Sequence, residues 1–415
     1  MPFVIIAVLA VVLAAAALVF DSGDEDTAAA SLRPAALGQI IDRVERERGL
    51  AFTRDPRPLV VTPRQAQTEA LAAFDTDYPP ARRRADEQVL TRLGLLPPRT
   101  DLRAAAESTY GESVAGYYDP RSGRLRIVKG AQTANRVLYE MTVAHELTHA
   151  LEDQRLGLDA DAVAGSDDAA LAYTALVEGS ASALMYRYVA DRFGAEETFG
   201  GLAASAFAPT GDLPPYLMAQ LVFPYTAGEA FVQRLLELGG GGWDVVDTAL
   251  RDRPPASTEQ VMHPEKWVRV EAPKPVRTGA PAVLGREWRR AVDGVFGEFQ
   301  TRELLAGAGG GGSAQAAAGW GGDRYELWRR GSGDCAAPCR PGAALVVRWR
   351  WDTPADEREF AAKLRQWVRD GLGAVPQAGG TFGIDAGHVA VGRRGGAVTL
   401  AMAPDAPLAK HLAGS

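Results

Sequence analysis

The chain reads as an α+β protein: a mainly helical domain carrying a small β-hairpin, followed by a small C-terminal α+β module. Two observations predict this class. Apolar residues recur at helical spacing through most of residues 37 to 305, whereas beyond the break Gly307 to Gly312 the segments alternate as strands do. At 415 residues the chain has room for two domains, or for one large domain with appendages. Its 47% hydrophobic and 23% charged residues are those of a folded globular protein. A net charge of -7 argues against nucleic acid or an anionic membrane surface as the main partner.

Residues Pro2 to Phe20 form an apolar run that leads into the acidic stretch Asp21 to Asp26. About 19 such residues just span a bilayer, so we expect a transmembrane signal anchor over 1–20, with a cleaved signal peptide as the alternative. The chain beyond it is then extracytoplasmic, and 21–36 is a polar, Ala-rich linker. Helices are expected at 37–49, 64–75, 80–95 and 100–108, with a short strand at Pro58 to Thr62.

Two apolar runs around Asp119-Pro120-Arg121-Ser122-Gly123 predict a hairpin over 113–128, because Pro presets the turn and Gly accepts a left-handed position. A helix follows from about Thr133 to Arg155, stopped by Gly157, and another from Asp167 or Asp168 to Gly194. Helical pattern continues from Leu202 to Met262, and 284–305 reads as one more helix. In the distal module, strands are expected at 323–329, 343–351, 381–393 and 396–403, around a helix that opens Asp352-Thr353-Pro354. Trp320, Trp328, Trp349, Trp351 and Trp367 gather there and suit a core better than a ligand platform. Cys335 and Cys339 suit a local disulfide loop.

Chemistry enters at His145-Glu146-Leu147-Thr148-His149. On a helix this spacing sets two imidazoles one turn apart on one face, with a carboxylate beside them to act on a metal-polarised water. With only five His in the chain, coincidence explains the pattern poorly. A catalytic zinc needs a third protein ligand and one open position. Glu178, 29 residues after His149, lies on the next helix within Leu176-Val-Glu-Gly-Ser-Ala-Ser182, where Gly179, Ser180 and Ala181 allow close approach to the first helix. Asp159, Asp161, Asp167 and Asp168 are the competing ligands. The places where a metzincin carries its further Gly and His hold Glu152 and Arg155, which excludes that subclass.

The stretches Ala144 to Gln154, Ala175 to Ser180, the Tyr-Tyr-Asp-Pro hairpin and Ser257 to Lys266 resemble the gluzincin clan of zinc metallopeptidases, and within it an uncharacterised group of bacterial membrane-anchored HExxH proteins. The likeness extends over most of residues 110–360. It implies a zincin-like metallopeptidase domain over 37–283, Zn2+ held by His145, His149 and Glu178, Glu146 as catalytic base, and a peptide or protein substrate; the change of periodicity sets apart the rest, 284–415, as a helix followed by a small α+β module over 319–415. Where gluzincins often carry Asp, four residues after the ligand Glu, this chain has Ser182; Asp153 is the candidate substitute.

Peptide hydrolysis also calls for a donor to the oxyanion. His263, in a polar phrase starting at Ser257, is the leading candidate, followed by Tyr117, Tyr118 and Tyr225. Val114 to Tyr118 or Leu125 to Val128 either aligns a substrate strand or is purely structural. His388 and His411 lack ligand spacing. The leading expectation is a membrane-tethered zinc peptidase of the cell exterior; the alternative is a catalytically silent zincin-like scaffold or binding protein of the cell envelope. An intramembrane protease is excluded by the charged run Glu152 to Arg155 directly after the motif.

Overall fold

The computed structural model describes residues 34–112, 116–129, 136–158, 165–194, 213–331, 342–385 and 387–414. The apolar run at Pro2 to Phe20, Cys335, Cys339, Asp159 and Asp161 lie outside the described residues. Among the described residues, no helix is long and apolar enough to cross a membrane.

The front of the chain folds as α1 (Pro34–Arg48), β1 (Leu59–Val61), α2 (Pro63–Asp77), α3 (Pro80–Arg92) and α4 (Leu102–Glu112). A capping box starts α2: Thr62 accepts from the Gln65 amide while the Gln65 side chain accepts from the Thr62 amide. The hairpin follows as β2 (Gly116–Asp119) and β3 (Arg124–Val128), turning at Gly123 with φ of +61°. β3 takes the centre of a three-stranded sheet, parallel to β1 and antiparallel to β2. That leaves β2 as an edge strand against the next helix.

Two long helices come next, α5 (Arg136–Leu156) and α6 (Asp167–Phe193). Gly157, with φ of +76°, closes α5, and Ser166 caps α6 by accepting from the Ala169 amide. Then follow α7 (Pro215–Leu238), α8 (Asp244–Arg251), α9 (Thr258–Met262), α10 (Pro264–Val268) and α11 (Ala280–Val283). Helix α6 is buried on nearly every side, packed by α5, α7, α1 and α9. Leu147, Leu151, Leu176, Leu184, Phe231 and Leu235 form the centre of this helical core.

The remaining elements are β4 (Trp288–Gly294), α12 (Gly297–Ala306), α13 (Ser313–Ala317), β5 (Trp320–Arg330), β6 (Ala343–Trp351), α14 (Pro354–Asp370), β7 (Val375–Gln377), β8 (Thr381–Ile384), β9 (Gly387–Arg394), β10 (Ala397–Ala403) and α15 (Ala406–Gly414). They build a seven-stranded antiparallel sheet in the order β4-β5-β6-β10-β9-β8-β7. One face packs Leu345, Val347 and Trp349 against Phe360, Leu364 and Trp367 of α14, and the other packs Ala344 and Val346 against Ala409 and Leu412 of α15. Trp320, Trp349 and Trp367 are fully buried and Trp351 is buried, so these four are core, while Trp328 is half-buried against the sheet. The chain is α+β, as expected.

Two elements depart from expectation, and the simpler is the strand expected over 381–393, which is two strands, β8 and β9, paired antiparallel to each other. Residues 284–305 are not one helix: they divide into strand β4 and helix α12. Trp288, Val292 and Phe296 stand four apart and mimic a helical stripe, but a β-bulge between Arg290 and Val292 shifts the register and hides the alternation of the strand. The distal sheet therefore begins at Trp288, before the glycine-rich break.

Candidate metal centre

Helix α5 presents His145 and His149 on one face, and α6 returns Glu178 opposite them. His145 Nε2 stands 3.1 Å from His149 Nε2 and 3.1 Å from Glu178 Oε2, and His149 Nε2 stands 3.5 Å from the same oxygen. All three side chains are buried. With Zn–N and Zn–O bonds of about 2.0–2.2 Å, tetrahedral ligands stand about 3.3–3.6 Å apart. The observed separations agree to about 0.2 Å, so the donor set fits one small divalent cation.

The expected reason for the close approach of α6 needs correction. Gly179 does not face α5; a Cβ there would stand 2.3 Å from the backbone of Gly228, on α7. The side chain that turns toward α5 is Ser180, whose hydroxyl donates to Glu152 at 2.5 Å. Glycine thus lets α7 press on the back of α6, and a hydrogen bond joins its front to α5.

Charge is distributed as a cation site requires. Burial would raise Glu178, but the charge of His149 and hydrogen bonds from both imidazoles outweigh it and hold the carboxyl at about 2. Burial would lower His149, yet Glu178 beside it brings it up to about 9, while His145 is pushed down by desolvation. In the metal-free chain, one proton on His149 supplies the positive charge that Glu178 demands. Glu146 is pushed up to about 8 by burial. Its Oε2 accepts from the Tyr118 amide at 2.8 Å, whereas its buried Oε1 has no partner among the described residues.

Beside the ligands lies a cavity of about 40 Å³, lined by Tyr118, Leu158, Tyr173, Thr174 and Val177 together with His149 and Glu178. Since about 10–15 Å³ holds one water, the space admits a solvent molecule next to the ligands.

The other sequence candidates divide sharply. Tyr225 of α7 lies against the pair, its ring centre 6.3 Å from that of His145. Tyr118 borders the cavity, but its hydroxyl donates to Asp153 at 2.6 Å, and the Tyr117 hydroxyl donates to Glu69 at 2.8 Å. Asp153 also accepts from the Leu158 amide, so it does not orient a ligand imidazole; among the described residues, neither His Nδ1 atom has a partner. Asp167 accepts from Arg82, and Asp168 from Thr258, so neither competes with Glu178.

His263 is not brought to the ligands. Its Nε2 is 2.8 Å from Glu298 of α12. The polarity around it has a different cause, because Thr258 lies buried between modules, donating to Asp168 of α6 and accepting from the Phe299 amide of α12. A second acidic group, Glu259 with Glu271 and Asp352, surrounds the Lys266 ammonium and is an ion-pair network. His388 bonds to Gln377, and His411 is exposed.

Residues 286–412 match a family described as a domain of unknown function, DUF8575. That span is the seven-stranded sheet with its helices, and it excludes His145, Glu146, His149 and Glu178. No curated protein and no solved structure matches the chain.

Sequence reasoning assigned no role to Arg48 or Glu152, which lie fully buried against the ligand helices. The available signal was spacing: positions 145, 149 and 152 share one helical face.

Proposed function

We propose that this chain is a zinc-dependent peptidase, held at the outer side of a membrane by its N-terminal apolar segment. The observation that carries the reading is the triangle of ligand atoms, whose separations of 3.1, 3.1 and 3.5 Å suit tetrahedral coordination by His145, His149 and Glu178. Bound there, zinc polarises a substrate carbonyl and lowers the pKa of an adjacent water to about 7.

The protein's own residues do the rest. Glu146 takes the water's proton on Oε1, the oxygen without a partner among the described residues, and returns it to the departing amine. The Tyr118 amide, bonded to Oε2, keeps that carboxylate in place. Tyr225, packed on His145, replaces His263 as the candidate donor to the developing oxyanion. A largely apolar pocket walled by Tyr173, Leu158 and Val177 borders His149 and Glu178 and offers a surface to a substrate side chain.

One observation favours a second reading, a catalytically silent metal-holding scaffold of the cell envelope. Neither His Nδ1 atom has a partner among the described residues, and the position where gluzincins often carry an orienting carboxylate is Ser182.

An unbiased peptide library separates the two. The zinc-loaded chain is expected to cleave it, and Glu146→Gln to keep its zinc while losing roughly 10²–10⁴-fold in rate. Zinc binding without cleavage of any peptide supports the scaffold instead.

A further inference from the structure

One turn beyond His149, the same face of α5 carries Glu152, whose side chain has no exposure to solvent. Its Oε1 receives two hydrogen bonds, from Arg48 Nε at 2.7 Å and from the Ser180 hydroxyl at 2.5 Å. Arg48 is equally buried, at the end of α1. Its guanidinium also pairs with Asp247 of α8 and lies over the Trp243 ring, 4.4 Å from its centre. Four helices converge on this one ion pair.

The chemistry of the cluster exceeds what packing needs. A carboxylate taken fully out of water costs several kcal/mol unless it is paired and hydrogen-bonded, and similar volumes of apolar side chain are often as stable. A neutral amide at position 152 would still accept the Ser180 hydroxyl. What distinguishes this bond is where it attaches: Glu152 lies three residues after His149, and Ser180 two residues after Glu178. It is therefore a cross-tie between the two ligand-bearing helices, next to the ligands on both.

We infer that Glu152, braced by Arg48, is a positioning residue that sets the distance between the His pair and Glu178 through Ser180. The inference rests on the proposed metal site. It adds that α1, the first helix after the linker, is a structural part of that site, because its last residue supplies the brace.

The test uses the full chain, with zinc affinity measured by chelator competition and coordination read from the visible absorption of the cobalt-substituted protein. Ser180→Ala removes the tie without stranding a charge. It is expected to keep the wild-type circular dichroism and bind zinc about 10–100-fold more weakly, with a shifted cobalt spectrum. Glu152→Gln leaves the buried Arg48 with Asp247 as its one remaining carboxylate partner and can fail to fold, so the double variant Arg48→Met/Glu152→Gln serves as the second arm. It is expected to fold and to show weaker zinc binding than wild type. Folded variants with wild-type zinc affinity and an unchanged cobalt spectrum overturn the inference and leave the metal site standing. If the wild type itself binds neither zinc nor cobalt, the site reading fails and this inference fails with it.

Discussion

Glu178 and His149 show how three buried side chains store a demand for a cation. Without metal, the pair is ionised between about 2 and about 9, and Glu146 nearby is pushed up to about 8. The direction of the pH dependence follows by linkage. His149 is raised above its ordinary 6.5, so its contribution is complete below 6.5 and is lost as pH rises through 9. Glu146 is raised above 4.5, so the folded state also loses stability as pH climbs from 4.5 to 8. Glu178 is lowered, so its contribution is present above 4.5 and lost as pH falls toward 2. The metal-free protein is thus expected to melt at steadily lower temperature as pH rises from 6.5 to 9, measured by thermal scans in chelator. With saturating zinc, stabilisation should grow over the same range, because the metal binds deprotonated ligands. In Glu178→Gln, His149 loses the charge that raises it, and the alkaline decline should shrink. A metal-free melting temperature that climbs between pH 6.5 and 9 contradicts this account of the site.

Among elements, the close crossing of α6 and α7 fixes where Glu178 stands. A Cβ on Gly228 would lie 2.0 Å from the Ala175 carbonyl oxygen, one turn before Glu178. Backbone cannot yield as a flexible side chain does, so Gly228→Ala should cost at least about 1–3 kcal/mol and weaken zinc binding together with stability. Gly38, within α1, has nothing within 4 Å of its Cβ position. Gly38→Ala should instead stabilise by about 0.5–1 kcal/mol and leave zinc affinity alone. Calorimetry and chelator competition on both variants check the contrast; equal effects would mean that the crossing does not govern the site. The same level shows what a sequence discloses. α5 and α6 are legible because His145 and His149 share a helical face and because Gly157 and Gly194 end helices by local rules. β4 was not, since a bulge at Arg290 broke its alternation. His263 drew attention through polar neighbours that serve a buried junction, a long-range contact with no local signature. Glu152 counts in the sequence only as the start of the charged run Glu152 to Arg155, and only the return of α1 places Arg48 beside it.

At the scale of the molecule, the distal sheet and the ligand helices are joined through the first turn of α6. Asp167 accepts from Arg82 and from the Tyr325 hydroxyl of β5, and Asp168 accepts from Thr258 while Gly297 of α12 closes over its carboxylate. Glu178 lies eleven residues along the same rigid helix, about 16 Å at 1.5 Å per residue. If Glu178 holds the proposed metal, residues of the matched family span should bear on its position without touching it. Gly297 has φ of +75°, and a Cβ there would stand 1.7 Å from Asp168 Oδ1. Gly297→Ala must add left-handed strain to a clash with a buried carboxylate that burial already pushes well above its ordinary pKa. Gly395, with φ of +61° and open space around it, isolates the strain alone, at about 1–2 kcal/mol. We expect Gly297→Ala to lower stability by clearly more than Gly395→Ala and to weaken zinc binding, while Gly395→Ala leaves the metal affinity unchanged. The wild type should unfold in one cooperative transition, with calorimetric and van't Hoff enthalpies in agreement. Two separate transitions, with zinc shifting only the first, would show that the sheet and the ligand helices fold independently and that the junction at α6 transmits nothing.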